Sequence, residues 1–499
     1  MVQALDRPPE PNAFTHRQIL TIIGGLLAGM ALASLDQTIV STSLPTIVGD
    51  LGGLEDISWV VTAYLLFETV ATPIYGKLSD IYGRPALFRV AIVVFVAGSM
   101  LCGLSQELWH LVLFRAIQGV GAGGLISMAF AVVGDIISPR ERGRYAGYFS
   151  SVFAVTSVIG PLIGGFLTDH VSWRWIFYVN VPIGIVALVV TSRALQAIEP
   201  PVRPERVQLD LRGAGLLVVS VGAILVGLEW GDTEHPWSSP LIVGLLGGGT
   251  TLLVAWLAWE RRAPDPIVPL RLFRSDVVAV AAGMSFLVGA AMFGAITYLP
   301  LLLQVVKDVS ASSSGLLLAP LMGGVLAAAM VTGRLITRTG RYAFTGPLGF
   351  AVVVAGTAAM ATTGTGTPLV VIFAVMVVLG VGVGILSPPL TVAVQNVVAP
   401  GDVGVSTAMV MFMRTMGASV GVSVFGALFS SRLHGELSAG TLRDPAAIDA
   451  LPPDVAAGVR DLVATALHPV FVAGALTALG GLVLATRLRE VPLRGATSG

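Results

Sequence analysis

Residues Gly76–Pro85 read GKLSDIYGRP, and residues Gly333–Tyr342 read GRLITRTGRY, with Gly, a basic residue, Leu, Gly and Arg in matching places. Each stretch follows a long apolar run and is too polar to continue it. The chain therefore repeats itself in parallel, a plan on which many membrane folds are built. The copies are not equivalent, since Thr337 stands where the first copy has Asp80.

The apolar runs around these stretches fill most of the chain. Of 499 residues, 55% are hydrophobic and only 12% charged, and the mean hydropathy is +0.85. That is far above the apolar share of ordinary soluble domains, so the chain reads as an all-α integral membrane protein. Each run is near the roughly 20 residues that ~30 Å of hydrocarbon requires of a helix. Lipid offers backbone groups no partners, so the runs must be helical. The sole cysteine, Cys102, lies in one of them, which excludes internal disulfides, and the six histidines show no ligand spacing. Neither a metal site nor a cofactor is expected. Composition also excludes soluble enzymes and nucleic-acid binders.

Spans are expected near 19–44, 58–77, 86–104, 109–133, 145–168 and 175–195, then a pair near 213–230 and 240–260, then six more near 277–305, 315–337, 344–363, 368–394, 405–430 and 464–487. This gives a polar N-terminal tail (1–18), a six-helix bundle (19–195), a linker with two extra helices (196–276), a second six-helix bundle (277–490) and a short tail (491–499). Fourteen spans put both termini on one side. Most of the 29 basic residues cluster at 77–89, 140–144, 193–212, 261–274, 334–341 and 487–494, on that same side. By the positive-inside rule it is the cytoplasm. Residues 431–463 read as an outer loop.

Four motifs carry a family resemblance. LDQTIVSTSLPTI (Leu35–Ile47), the Gly76 loop, RAIQGVGAGG (Arg115–Gly124) and GPLIGGFLTDHVSWRWIFYVNVPIG (Gly160–Gly184) occur in order and properly spaced. Together they resemble the major facilitator superfamily, in its fourteen-helix drug:proton antiporter branch of the EmrB/QacA type, over nearly the whole chain. The resemblance implies two six-helix bundles rocking about a central cavity, the pair at 213–260 being an insertion. It also implies that Gly76, Asp80, Gly83, Arg84 and Asp135 form a cytoplasmic gate, with Asp80 at a helix N-terminus of the opposite bundle and Arg84 paired with Asp135. Gly160, Pro161, Gly164 and Gly165 match the antiporter motif of the fifth helix.

GVGAGG from Gly119 matches the dinucleotide fingerprint G-x-G-x-x-G in letters only, because no strand precedes it and it lies within a span. Gly119 with Gly123, and Gly160 with Gly164, read instead as small-residue surfaces for close helix packing. No G-x-x-x-x-G-K-[ST] occurs, which disfavours ATP-driven pumping. The basic residues of the Gly76 loop could serve topology alone.

A charge at a helix centre costs roughly 2.5–3.5 kcal/mol on insertion scales and usually faces a cavity or a partner. Counting about 1.5 Å per residue from the outer ends, Asp36 lies ~12 Å deep, Glu68 ~15 Å and Arg115 ~9 Å. These three are expected to be neighbours. Tyr64, Glu68 and Thr72 fall at i, i+4 and i+8, one polar stripe on the second helix. Either the charges merely neutralise one another and fix packing, or they couple protons to transport. Arg414 sits among Met409, Met411, Met413 and Met416, as adaptable lining of a substrate site or as core filling.

Together the motifs and the charges imply a non-enzymatic, proton-coupled exporter of amphipathic, cationic drugs, dyes or antibiotics. It would act in the bacterial inner (plasma) membrane as a monomer, with the bilayer, protons and a small molecule as its partners. The alternatives are a dedicated exporter of one endogenous lipid, siderophore or metabolite, and a non-transporting membrane sensor.

Overall fold

The computed structural model describes residues 15–51, 58–137, 139–195, 210–231, 235–307, 318–433 and 452–493. Most of the N-terminal tail, residues 196–209 of the linker with its basic cluster, residues 434–451 of the expected outer loop and most of the C-terminal tail lie outside these.

Fourteen helices occur among the described residues. They are α1 His16–Leu51, α2 Ser58–Tyr82, α3 Arg84–Gly103, α4 Leu108–Ile136, α5 Pro139–His170 and α6 Trp175–Ala194. The hairpin α7 Leu211–Trp230 and α8 Pro240–Glu260 follows. Next come α9 Asp276–Leu301, extended by a π turn at Leu302–Val306, then α10 Ala319–Thr339, α11 Thr345–Met360, α12 Leu369–Val397, α13 Val403–Leu433 and α14 Pro453–Ala485. Among the described residues 12 helices are long and apolar enough to cross a membrane. The other two are α2, diluted by Glu68, Lys77 and Asp80, and the 16-residue α11.

The expected outer loop is shorter than the sequence implied. Leu433 still ends α13 and Pro453 already begins α14, so the first turns of α14 occupy residues read as loop. Pro453 stands at the first helical position, where Pro is well tolerated because its missing N–H has no partner to lose.

The repeated stretches turn the chain by the same device. Gly83 (φ 92°) and Gly340 (φ 69°) are the positive-φ glycines among the described residues, and they occupy matching places of the repeat. Only glycine adopts such backbone without a Cβ clash. Each lets a helix end sharply and the next one start.

Packing follows the repeat. In the first half α2 lies against α4, α3 against α4, and α1 against α5 and α6; in the second α9 lies against α13 and α14, and α12 against α10 and α11. The halves meet where α5 packs on α10 and α2 on α13. α7 touches both α2 and α13, covering that seam, while α8 packs chiefly on α7. Phe88, Phe95 and Leu125 fill the first core, and Tyr342, Phe350 and Phe471 the second. Large apolar side chains such as Leu113, Leu162, Phe166, Val370 and Leu476 point outward. On a membrane protein that surface meets lipid and carries no penalty.

Candidate functional site: a sealed ion pair, a lone acid and an interlocked end

Asp36 on α1 and Arg115 on α4 form an ion pair, at 0% and 1% side-chain exposure. The carboxylate also accepts from Gln118 Nε2 at 2.8 Å and Asn180 Nδ2 at 2.9 Å. Arg115 donates further to the Val60 carbonyl (3.1 Å) and to Gln118 Oε1 (2.8 Å), and its guanidinium lies 4.0 Å from the centre of the Tyr64 ring. Four helices thus converge on one saturated pair. Such a pair has little tolerance for losing a member, because the survivor would be a buried uncompensated charge.

Glu68 is not part of this pair. Its Oε2 accepts from Gln37 Nε2 at 2.8 Å, and no basic side chain lies within ion-pair distance of it among the described residues. The three charges expected to be neighbours lie close enough to feel one another, but Glu68 stands outside the ion pair. Helix geometry is the reason: Asp36 and Gln37 are consecutive on α1 and point about 100° apart. Asp36 turns into the bundle and Gln37 turns toward Glu68. Tyr64 is fully buried, with its hydroxyl on the Ala33 carbonyl at 3.3 Å. The Thr72 hydroxyl donates to the Glu68 carbonyl at 2.8 Å. Of the stripe, Glu68 alone keeps a partly exposed side chain.

At the other end of α2 the halves interlock. Asp80 accepts from the backbone N–H groups of Gly404 (3.1 Å) and Val405 (2.9 Å), in the first turn of α13. Arg84 pairs with Asp80 at 2.6 Å and donates from Nε to Asp135 at 2.7 Å. Gly76 makes room for this contact, since a Cβ there would meet Ala408 and the Gly404 carbonyl. Gln395 on α12 donates across the halves to the Phe130 carbonyl at 3.1 Å. Just outside, Lys77 pairs with Asp265 and Arg271 grips Asp402 through two bonds of 2.9 Å, so the α8–α9 connection ties to both halves.

On α5, Gly160 lies directly against Thr38 of α1, Gly164 is buried and Gly165 faces open space. The Pro161 side chain lies outside the described residues. Arg414 borders a small pocket with Ser285, Val288, Leu386, Ser387, Leu390 and Thr391. Met413 is half-buried and packs against the second core instead.

Sequence reading missed Gln37, Gln118, Asn180 and Gln395. All are uncharged, yet a carboxamide in an apolar span is costly enough to signal a partner. It also passed over Pro388 and Pro389, which remove two amide donors from α12 beside the Arg414 pocket.

The family profile for the Major Facilitator Superfamily matches residues 26–422. An uncharacterized MFS-type transporter of Mycobacterium tuberculosis is 41% identical over 95% of this chain and 70% of its own length. The multidrug transporter protein MdtP of Bacillus subtilis is 35% identical over 82% of this chain and 75% of its own. The proton:xylose symporter XylE shares the fold at a TM-score of 0.64 and 13% identity, covering 96% of this chain and 97% of XylE. A repeated helical fold, interlocked halves and charges buried in spans all agree with these matches: the chain is a multi-pass membrane transporter that belongs to the Major Facilitator Superfamily.

Proposed function

We propose that the chain is a proton-coupled exporter of amphipathic cationic compounds, of the fourteen-helix drug:proton antiporter branch, in the plasma membrane. Its two halves, residues 19–195 and 277–490, would rock about a central cavity, with α7 and α8 carried by the linker and both termini in the cytoplasm. Relatives named as multidrug transporters and efflux pumps support export.

The observation that carries the reading is Glu68, an acid inside a membrane helix with an amide as its partner and no basic side chain within ion-pair distance among the described residues. Protonated, it is neutral and releases a cationic substrate; ionised, it attracts one. That exclusion links the two fluxes. Asp36 is a poorer proton carrier, because Arg115, Gln118 and Asn180 already hold its ionised form. Exchanging one proton for one monovalent cation moves no net charge, so the pH gradient drives it, supplying ~1.4 kcal/mol and about tenfold accumulation per pH unit. Asp80, Arg84 and Asp135 would latch the cytoplasmic end between turnovers.

The test is purified protein in liposomes with an imposed pH gradient and several cationic dyes. Uphill dye movement that stops when a protonophore collapses the gradient is the expected result. Movement indifferent to the gradient would remove the coupling, and no movement of any dye would favour a sensor.

A further inference from the structure

We infer that Arg414 and Thr391 form a subsite for an anionic group, so that the preferred cargo is an amphipathic zwitterion whose basic end meets Glu68. The inference rests on the exporter reading above and narrows its substrate class.

The first observation is an unneutralised cation. Arg414 lies well inside α13, and its one hydrogen bond among the described residues goes from Nη2 to the thioether of Met292 at 3.6 Å. Among the described residues no carboxylate is within ion-pair distance, in contrast to the saturated Arg115. A guanidinium presents five donors in a planar fork that matches a carboxylate. Most of that capacity is unused here.

The second is the pocket itself. Arg414 lines it together with Thr391, a buried residue whose hydroxyl makes no hydrogen bond among the described residues. Ser387, by contrast, already donates to the Val383 carbonyl at 3.1 Å. Val288, Leu386 and Leu390 complete the wall. The site therefore offers a cation, a free hydroxyl and apolar surface, the composition of a small-molecule site that orients an acidic group.

The third is depth. Asp80 on α2 touches Gly404 on α13, which fixes a common level for two helices that run in opposite directions and pack on each other. At about 1.5 Å per residue, Glu68 stands about 18 Å from that contact along α2 and Arg414 about 15 Å along α13. An acid and a base, one from each half, thus lie at nearly one depth without pairing with each other. A molecule bearing both charges would satisfy both.

The experiment uses two dyes that differ only at a carboxyl group, zwitterionic rhodamine 110 and its methyl ester rhodamine 123, with fluorescence-anisotropy binding to the purified protein. Wild type is expected to bind rhodamine 110 several-fold more tightly. Arg414→Gln should bind rhodamine 110 about tenfold more weakly, the size of a lost charge-assisted hydrogen bond, and leave rhodamine 123 unchanged. Arg414→Lys should recover part of the preference, showing that charge and not misfolding is read. Equal affinity of wild type for both dyes, no binding of either, or equal loss of both in Arg414→Gln overturns the inference. Gradient-driven export of rhodamine 123 in liposomes reports separately on the exporter reading, which survives if only the subsite fails.

Discussion

Asp80 reaches from the end of α2 to the first turn of α13, where its two carboxylate oxygens accept the N–H groups of Gly404 and Val405. A negative charge at a helix N-terminus is stabilised by the dipole and the unpaired amides there, by up to ~2 kcal/mol when partly buried. Asp80→Asn keeps an acceptor but removes the charge. The closed-to-open ratio at this end should fall by up to about thirty-fold, the equivalent of that energy. Spin-label distances between the ends of α2 and α13 should lengthen; an unchanged distribution would mean that the contact does not hold the halves.

The Asp36–Arg115 pair is expected to behave as an anchor. Asp36→Asn and Arg115→Gln should each destabilise the protein by about 3–5 kcal/mol, whereas the double variant should lose clearly less than their sum. Cys102 reports this directly. It is the sole cysteine, fully buried, with its thiol 3.7 Å from Gln118. Thermal onset of labelling by a thiol-reactive dye follows the opening of this region. Additive losses would show that the two charges do not depend on each other.

Glu68→Gln should separate coupling from folding. The carboxamide oxygen can still accept from Gln37, so the Cys102 labelling temperature should be unaltered. Uphill dye transport should vanish, and exchange of a cationic dye without a gradient should weaken as well, because the neutral amide, like the protonated acid, does not attract a cation. A variant that still concentrates dye would remove Glu68 from the coupling role.

Two glycines make opposite predictions. At Gly123 a Cβ would press on the Glu68 carbonyl and lie 3.1 Å from the Thr72 amide, backbone that cannot yield. Gly123→Val should cost about 1–3 kcal/mol by overpacking and depress activity, because the shifted turn carries Glu68. At Gly248, on the outward-facing α8, nothing lies within 4 Å. Gly248→Ala should stabilise slightly, by about 0.5–1 kcal/mol, since alanine loses less entropy in a helix. Parallel melting curves would decide both.

Much of this architecture was legible before any coordinates. Apolar run length identified the helices, and the echo of GKLSDIYGRP in GRLITRTGRY exposed two related halves, whose matching glycines Gly83 and Gly340 the structure shows to be paired turns. The Asp80 loop was conspicuous because charge is rare in such a chain. Less legible were the carboxamides Gln37, Gln118 and Asn180, which carry no charge to draw the eye yet settle which acid is saturated and which is not. The start of α14 lies earlier than apolar run length suggested, because Asp454, Arg460 and Asp461 make its first turns polar.

The sequence by itself determined a membrane-spanning helical chain, its internal repeat and its buried charges, because hydropathy, spacing and the cost of a charge in lipid are local properties. Only the tertiary structure decided which charges meet. Asp36 and Glu68 lie at similar depths, and depth alone made them neighbours. The angle between consecutive residues on α1 sends Asp36 to Arg115 and leaves Glu68 with an amide, and that azimuth is fixed by packing among helices distant in the chain.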